Sequence, residues 1–341
     1  MDTFGISIVI CTYNGSERIG ATLQALFAQQ FKNPNIYPWE IIIIDNASTD
    51  STYDSCKKII KSSGFKGQIR IEIEPNAGLN FARLCGLGLA QYDWMLFCDD
   101  DNHLYSDYLE HAYKILQKNS AIGVLGGYGV PFFEIEKPNW FDKYSHSFAV
   151  GKQSNKEGKI DRYPAAVYGA GSLYRRAPLQ KIFNSGFSAI MSDRTGTKLS
   201  SSGDIEWCWL LQLAGYEIWY SSQLTFIHVL PAERLNWDYY LKLKKGISLG
   251  VAPLFAYTYF FKNSRPNLFF FSIEYFYQLG LSILLFLKYK VGLLLNNNLY
   301  TKNERDLSKV ILSSKSTSFM VNCTQIFNQF KKINKLIHDL L

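Results

Sequence analysis

The sequence predicts an α/β fold: a mostly parallel central sheet flanked by helices, followed by a helical C-terminal extension. Three observations point there. Short apolar runs, Ile6–Cys11 and Ile41–Ile44 among them, have the composition of strands buried on both faces. Segments with helical spacing alternate with these runs, the pattern of a parallel sheet with helices on its faces. Beyond Pro231 the chain turns aromatic and basic.

The first strand, Ile6–Cys11, runs into the polar turn Thr12–Ser16. Ser16 is placed to cap a helix carrying Leu23, Leu26 and Phe27 at helical spacing. Pro34 and Pro38 break the chain before a second strand, Glu40–Ile44, which ends at Asp45. A helix starts at Asp50 or Ser51. Ile69–Glu74 alternates in polarity, as an edge strand does. Asn76–Leu89 reads as a Gly- and Ala-rich helix, and Trp94–Cys98 as a fourth strand ending at Asp99. A helix near Ser106–Gln117 and a strand from Ile122 follow.

From about 131 to 202 the pattern weakens. Residues 151–162 read as a charged loop, Tyr168–Tyr174 as a close-packed strand and Leu199–Gly203 as a small-residue loop. Asp204–Leu213 is a predicted helix and Tyr216–Tyr220 a strand. The boundaries expected are a catalytic domain over 1–235 (halves 1–130 and 131–235) and an extension over 236–341.

In parallel sheets, ligands collect outside the carboxyl ends of the strands. Thr12, Asp45 and Asp99 all stand at that end of their strands. Asp99, Asp100 and Asp101 repel one another when ionised, and a divalent cation sharing oxygens with a diphosphate offsets that cost. An acidic helix cap is the structural alternative. Asp45 can accept a hydrogen bond from a base or a ribose hydroxyl.

Four pieces in order resemble the nucleotide-binding half of the inverting glycosyltransferases of family two, of the bacterial polysaccharide-biosynthesis type. They are Ser7–Asn14, Ile44–Asp50, Asn76–Arg83 with Gly86, and Phe97–Asp101. A fifth, Gly203–Trp207 with Leu210, Leu211, Ala214 and Gly215, is similar to the family's acceptor-side helix. The resemblance implies the GT-A fold, in which two Rossmann-like halves share one sheet. It implies that Thr12, Tyr13, Asp45, Gly78 and Arg83 meet a nucleoside, uridine by expectation, with Asp99 and Asp100 facing ribose and phosphate. Asp101 becomes the main ligand of Mn²⁺ or Mg²⁺, with Asp99 and His228 beside it. Asp204 matches the family's base, which takes the acceptor hydroxyl's proton. Glu206 is the alternative base. Arg234 is placed to neutralise phosphate, or to form a surface ion pair. Trp207, Trp209 and Trp237 are candidates for stacking on acceptor sugars, with core packing the alternative.

The chain departs from the family pattern at Cys11, Leu84 and Gly203. The last leaves a single carboxylate at the base position. Three rival readings remain. A sugar-1-phosphate nucleotidyltransferase would want a Gly-rich basic loop after the first strand, but Cys11–Gly15 is neither. A membrane-bound scaffold would not need Asp99, Asp101 and Asp204. A polyprenyl-phosphate acceptor fits the aromatic C-terminal region, though no pair of clear transmembrane helices accompanies it.

With 47% hydrophobic and 19% charged residues, the composition is that of a globular chain, not a disordered one. No CxxC spacing joins the six cysteines, so free thiols in a reducing cytosol are expected rather than a zinc site. Residues 1–5 lack the n- and h-regions of a signal peptide. Residues 1–230 hold 21 Lys+Arg against 23 Asp+Glu, whereas 231–341 hold 15 against 6. All the excess positive charge is therefore C-terminal, which suits anionic lipid. A solvated tail is the alternative, and no nucleic-acid partner is expected. Leu268–Leu287 carries one charge, Glu274, and is flanked by Lys262, Arg265, Lys288 and Lys290. It reads as an interfacial or re-entrant membrane helix, with a span or a buried helix as alternatives. The expected setting is the cytoplasmic face of the cell membrane, with a glycan or lipid-linked saccharide as acceptor.

Overall fold

A computed structural model describes residues 3–32, 37–194, 199, 201–295 and 301–340. Pro34 and Ser200 lie outside the described residues. The strands are β1 (Thr3–Thr12), β2 (Trp39–Asn46), β3 (Gln68–Glu74), β4 (Tyr92–Phe97), β5 (Asn102–Leu104), β6 (Ile122–Phe133), β7 (Gly158–Lys159), β8 (Ser172–Arg175) and β9 (Glu217–Leu230). They form one sheet in the order β3-β2-β1-β4-β8-β6-β9-β5, with β7 on β9. Most of the paired residues run parallel: β1 with β2 and β4, β2 with β3, and β6 with β9. β8 runs antiparallel between β4 and β6. The predicted edge strand, β3, is at the edge.

Helices α1 (Ile19–Phe27), α2 (Thr52–Ser63), α3 (Leu79–Leu89), α4 (Tyr108–Leu116), α5 (Phe141–Tyr144), α6 (Arg176–Asn184) and α7 (Gly203–Leu213) punctuate the strands. Successive strand residues face opposite sides, so each strand feeds two cores. Ile8, Ile10, Ile41, Ile43 and Leu96 pack with α1 and α4 on one side. Val9, Ile42, Ile44, Met95 and Phe97 pack with α3 and the apolar face of α7 on the other. Gly86 lets α3 approach closely, because a Cβ there would run into Val9.

Several local expectations need correction. Ser16 caps nothing: α1 begins three residues later, after Arg18. Ser16 N instead donates to Asp50 Oδ2 at 3.3 Å. α3 begins at Leu79, because Asn76–Gly78 forms a turn in which Gly78 has φ 142°. The strand expected over Tyr168–Tyr174 is confined to β8, and the loop 151–162 contains β7.

The chain divides into two compact units, Met1–Gly186 with Trp207–Leu235, and Phe187–Glu206 with Asn236–Leu341. The second unit contains α8 (Trp237–Gly250), α9 (Phe255–Lys262), α10 (Leu268–Leu295), α11 (Lys302–Val321) and α12 (Cys323–Leu340). A capping box holds the start of α11: Glu304 N donates to Thr301 Oγ1 and Thr301 N to Glu304 Oε2. The six cysteines are free thiols, with Cys56, Cys98 and Cys208 buried and Cys11, Cys85 and Cys323 partly so.

Candidate active site

In the first unit the strand ends meet as parallel-sheet geometry dictates. Thr12 closes β1 in register with Asp45 at the end of β2. β4 ends at Phe97, and Cys98–Asp101 carries the chain off the same end. β5 then returns antiparallel to β9, which sets Asn102 opposite His228.

The three aspartates have different partners. Asp100 is buried and accepts hydrogen bonds from Thr12 Oγ1 at 2.6 Å and Arg18 Nη2 at 2.9 Å. Thr22 Oγ1 donates to its main-chain carbonyl at 2.9 Å. Burial raises the Asp100 pKa, Asp101 adds to that, and Arg18 opposes it. Gly15 makes room for the Thr12–Asp100 bond, since a Cβ there would collide with both groups. Asp100 was expected to face ribose or phosphate; its carboxylate is bonded to Thr12 and Arg18.

Asp101 is buried at the centre of a second node. Asn102 Nδ2 donates to its Oδ1 at 3.1 Å and Arg234 Nη1 to its Oδ2 at 2.9 Å. His228 Nε2 lies 3.4 Å from Oδ1. His228 Nδ1 is buried without a hydrogen-bond partner. Arg234, expected to meet phosphate or form a surface pair, is partly buried and paired with Asp101. Asp99 is half-buried, and its main-chain N–H donates to Asn102 Oδ1 at 3.2 Å.

Among the described residues, no three His, Cys, Asp or Glu side chains make a metal cage by themselves. The pair Asp101 and His228 nonetheless fits a metal that keeps few protein ligands. Two ligands of one octahedral Mg²⁺ at about 2.1 Å lie about 3 Å apart, and phosphate oxygens and water complete such a shell.

The nucleoside candidates line the neighbouring strand ends. Asp45 is buried and accepts from Ser48 N at 3.3 Å. Asn46 ties β2 to the start of α3: its Nδ2 donates to Asn76 O at 2.7 Å and its Oδ1 accepts from Gly78 N at 2.8 Å. Arg83, on α3, is buried with its guanidinium 5.2 Å from the centre of the Phe97 ring. Tyr13 is exposed. Sequence reasoning passed over Arg18, Thr22 and Asn102. The available signal was position: Arg18 is the first basic residue after β1, and Asn102 directly follows the aspartates.

Asp204 belongs to the second unit, in the first turn of α7, half-buried, where the helix dipole favours a carboxylate. Asp193 Oδ1 accepts from Gly203 N at 2.6 Å. A Cβ on Gly203 would run into that carboxylate, which accounts for glycine at this departure from the family pattern.

Glu206 is not available as a base. It is fully buried and accepts from Ile190 N and Met191 N, each at 2.9 Å, and from Tyr257 Oη at 2.6 Å. Gln329 Nε2 donates to Tyr257 Oη at 2.9 Å and to Glu206 Oε1 at 3.3 Å. Burial pushes the Glu206 carboxyl up to about 7, against the pull of these bonds. Trp207 is also corrected: it is buried in the first unit, edge-on to Phe97 and Tyr174, and has no face for a sugar. Trp237 is partly buried at the start of α8 against Tyr240.

Known proteins share this architecture. The family described as Glycosyl transferase family 2 matches residues 7–183. The chain belongs to that family, and so to the glycosyltransferases. It is 24% identical over 177 residues to Glycosyltransferase GlyA of Streptococcus pneumoniae, covering 50% of this chain and 24% of that protein. It is 30% identical over 193 residues to UDP-Glc:alpha-D-GlcNAc-diphosphoundecaprenol beta-1,3-glucosyltransferase WfaP of Escherichia coli, covering 57% and 62%. The matches thus span less than two thirds of these relatives. Among solved structures, S. aureus TarS 1-349 in complex with UDP shares the fold at a TM-score of 0.52 and 16% identity, over 94% of this chain and 92% of that one. The mannosyltransferase PcManGT from Pyrobaculum calidifontis, in complex with GDP-Man and Mn²⁺, does so at 0.52 and 12%, over 99% and 76%.

Proposed function

We propose that this protein transfers a sugar, with inversion, from a nucleotide-sugar donor to a hydroxyl of a glycan or lipid-linked saccharide. UDP-sugar is the donor we favour. The observation that carries the reading is the convergence of Thr12, Asp45 and the Asp99–Asp101 segment at one end of the sheet, with Asp101 joined to His228 and Arg234. The names of relatives support it: WfaP is named for a UDP-Glc donor, and TarS was solved with UDP.

Thr12, Tyr13, Asp45, Gly78 and Arg83 hold the nucleoside, and Asp99 borders the diphosphate. Asp100, held by Arg18 and Thr12, sets the course of the loop that presents Asp101. Asp101 and His228, with Asp99 beside them, would hold a divalent cation, Mn²⁺ or Mg²⁺. When bound, that cation supplies Lewis-acid stabilisation of the departing diphosphate. Arg234 adds positive charge at the same place.

The acceptor oxygen attacks the anomeric carbon from the face opposite the diphosphate. As the new C–O bond forms, the bond to the diphosphate oxygen breaks and that oxygen takes the electron pair. Asp204 takes the acceptor's proton. A single displacement inverts the anomeric centre. Residues 1–235 form the catalytic part in this reading, and Trp237 borders the acceptor. The name of WfaP, which includes a diphosphoundecaprenol-linked sugar, favours a lipid-linked acceptor; we place the reaction at the cytoplasmic face of the membrane.

Calorimetric titration of UDP, GDP and dTDP, with Mn²⁺ and with chelator, tests the donor site. Metal-dependent UDP binding is expected. Silence with all three nucleotides would contradict the proposal.

A further inference from the structure

Helix α10 is inverted relative to the surface helix of a water-soluble domain: its outward stripe is the apolar one. Phe269, Ile273, Phe276, Tyr277, Leu284 and Leu287 are between 49% and 68% exposed. At 100° per residue, these six fall within about 100° of arc; exposed Val291 falls among them, exposed Phe270 borders them, and Leu268 and Leu285 widen the apolar surface beyond them. The apolar stretch Leu268–Gly292 has 25 residues and is mostly left uncovered by the rest of the chain, so it is not a core helix. At 1.5 Å per residue it is about 37 Å long.

The opposite face is committed to this chain's own fold. Phe271 stacks on Phe330 with ring centres 4.5 Å apart and on Phe255 at 5.4 Å. Tyr275 Oη donates to Phe319 O, and Ser316 Oγ donates to Ser282 O at 2.9 Å. Tyr289 Oη donates to Arg305 O at 2.6 Å. Helix α11 is therefore fastened along α10, and α11 carries Lys302, Glu304, Arg305, Asp306, Lys309 and Lys315. If α10 crossed a bilayer, it would draw those charges into hydrocarbon or break the bonds that fasten it.

From this we infer that α10 lies in the plane of an anionic membrane surface, with its Phe269–Leu287 stripe in the acyl boundary and α11 on the water side. This deepens the membrane part of the proposed function by assigning the contact surface and its orientation. Charge selects the occupant. Lys262, Arg265, Lys288 and Lys290 flank the stripe and are exposed. Glu274, its one acid, falls outside the arc. With 15 basic residues against 6 acidic ones after residue 230, a second copy of this face meets like charge, whereas lipid phosphates meet opposite charge. Phe and Tyr on the stripe suit the headgroup level, where an aromatic ring is half solvated.

The test is flotation of the full chain with phosphatidylcholine vesicles and with phosphatidylcholine–phosphatidylglycerol vesicles, for wild type and F269S/F276S/Y277S. Wild type is expected to float with the anionic vesicles at least about tenfold better than with the neutral ones, and the triple variant to lose about tenfold. High salt should release much of the wild type. Four results would overturn the inference: no flotation of the wild type, unchanged flotation of the triple variant, a salt-resistant protein with a protease-protected α10, or a wild-type dimer in light scattering that the triple variant dissociates. Melting curves of both preparations report folding, and UDP titration keeps the two readings apart. Flotation without UDP binding would refute the transfer chemistry alone, and UDP binding without flotation would refute this contact alone.

Discussion

Two of the buried carboxylates, Glu206 and Asp101, are buried to different ends. Glu206 in the second unit is sealed, with two main-chain N–H groups and the Tyr257 hydroxyl donating to it. No cation pairs with it among the bonds described, and burial dominates its ionisation. Asp101 in the first unit is buried too, but besides the Asn102 amide its partners are a guanidinium and an imidazole whose other nitrogen lacks a hydrogen bond. A sealed carboxylate fixes structure. A carboxylate held by a guanidinium and faced by an imidazole can exchange those contacts for a metal cation.

Variants at the two centres should therefore fail differently. The largest effect expected in the reaction is at Asp204: Asp204→Asn should lower turnover by about 10²- to 10⁴-fold while UDP still binds. Radiolabelled sugar transfer alongside calorimetry checks this, and wild-type turnover in the variant would remove Asp204 from the reaction. The second effect is on stability. Glu206→Ala strands the four donors that bond to it and should cost about 3 kcal/mol or more in thermal or denaturant unfolding.

Glu206 also makes a pH prediction. Its folded pKa of about 7 lies above its ordinary value of 4.5. The folded state thus holds the proton more tightly, so this contribution is complete below pH 4.5 and is lost as pH rises through about 7. Glu206→Gln should flatten that decline, by on the order of 3 kcal/mol, in unfolding curves across this window. Parallel curves for variant and wild type would show that Glu206 is already ionised in the fold.

Gly15→Ala should follow, with a loss of about 1–3 kcal/mol and weaker UDP binding, because its Cβ displaces the Thr12–Asp100 bond. Arg234→Gln is the smallest. It removes one partly buried partner of Asp101, leaves Asn102 and His228 in place, and should raise the donor KM by about fivefold or less. A larger change would mean that Arg234 contacts the donor in the transition state.

The sequence made the first half of this comparison readable. Apolar runs that stop at Thr12, Asp45 and Asp99 mark strand ends without any long-range knowledge, and β1, β2 and β4 end within two residues of those points. The second half was hidden by distance along the chain. Asp193 and Gly203 need each other sterically, and Glu206 is bonded to Tyr257, 51 residues away. β6 was legible only at its start, because Gly126, Gly127 and Gly129 carry no side chains to show a period. Those glycines are required where a Cβ would meet Val167, the Leu224 carbonyl and the Ala149 carbonyl. Trp207 looked available for sugar stacking because Trp207 and Trp209 stand on either side of the same short helix and the sequence does not reveal which of them is covered.

The most direct test of the central claim is calorimetric titration of UDP with Mn²⁺ into wild type, Asp101→Ala and Glu206→Gln, each checked by its melting curve. We predict metal-dependent binding in wild type and Glu206→Gln, and its loss in Asp101→Ala with the fold intact. Unchanged UDP affinity in Asp101→Ala would contradict the account and place the donor's metal, if any, elsewhere.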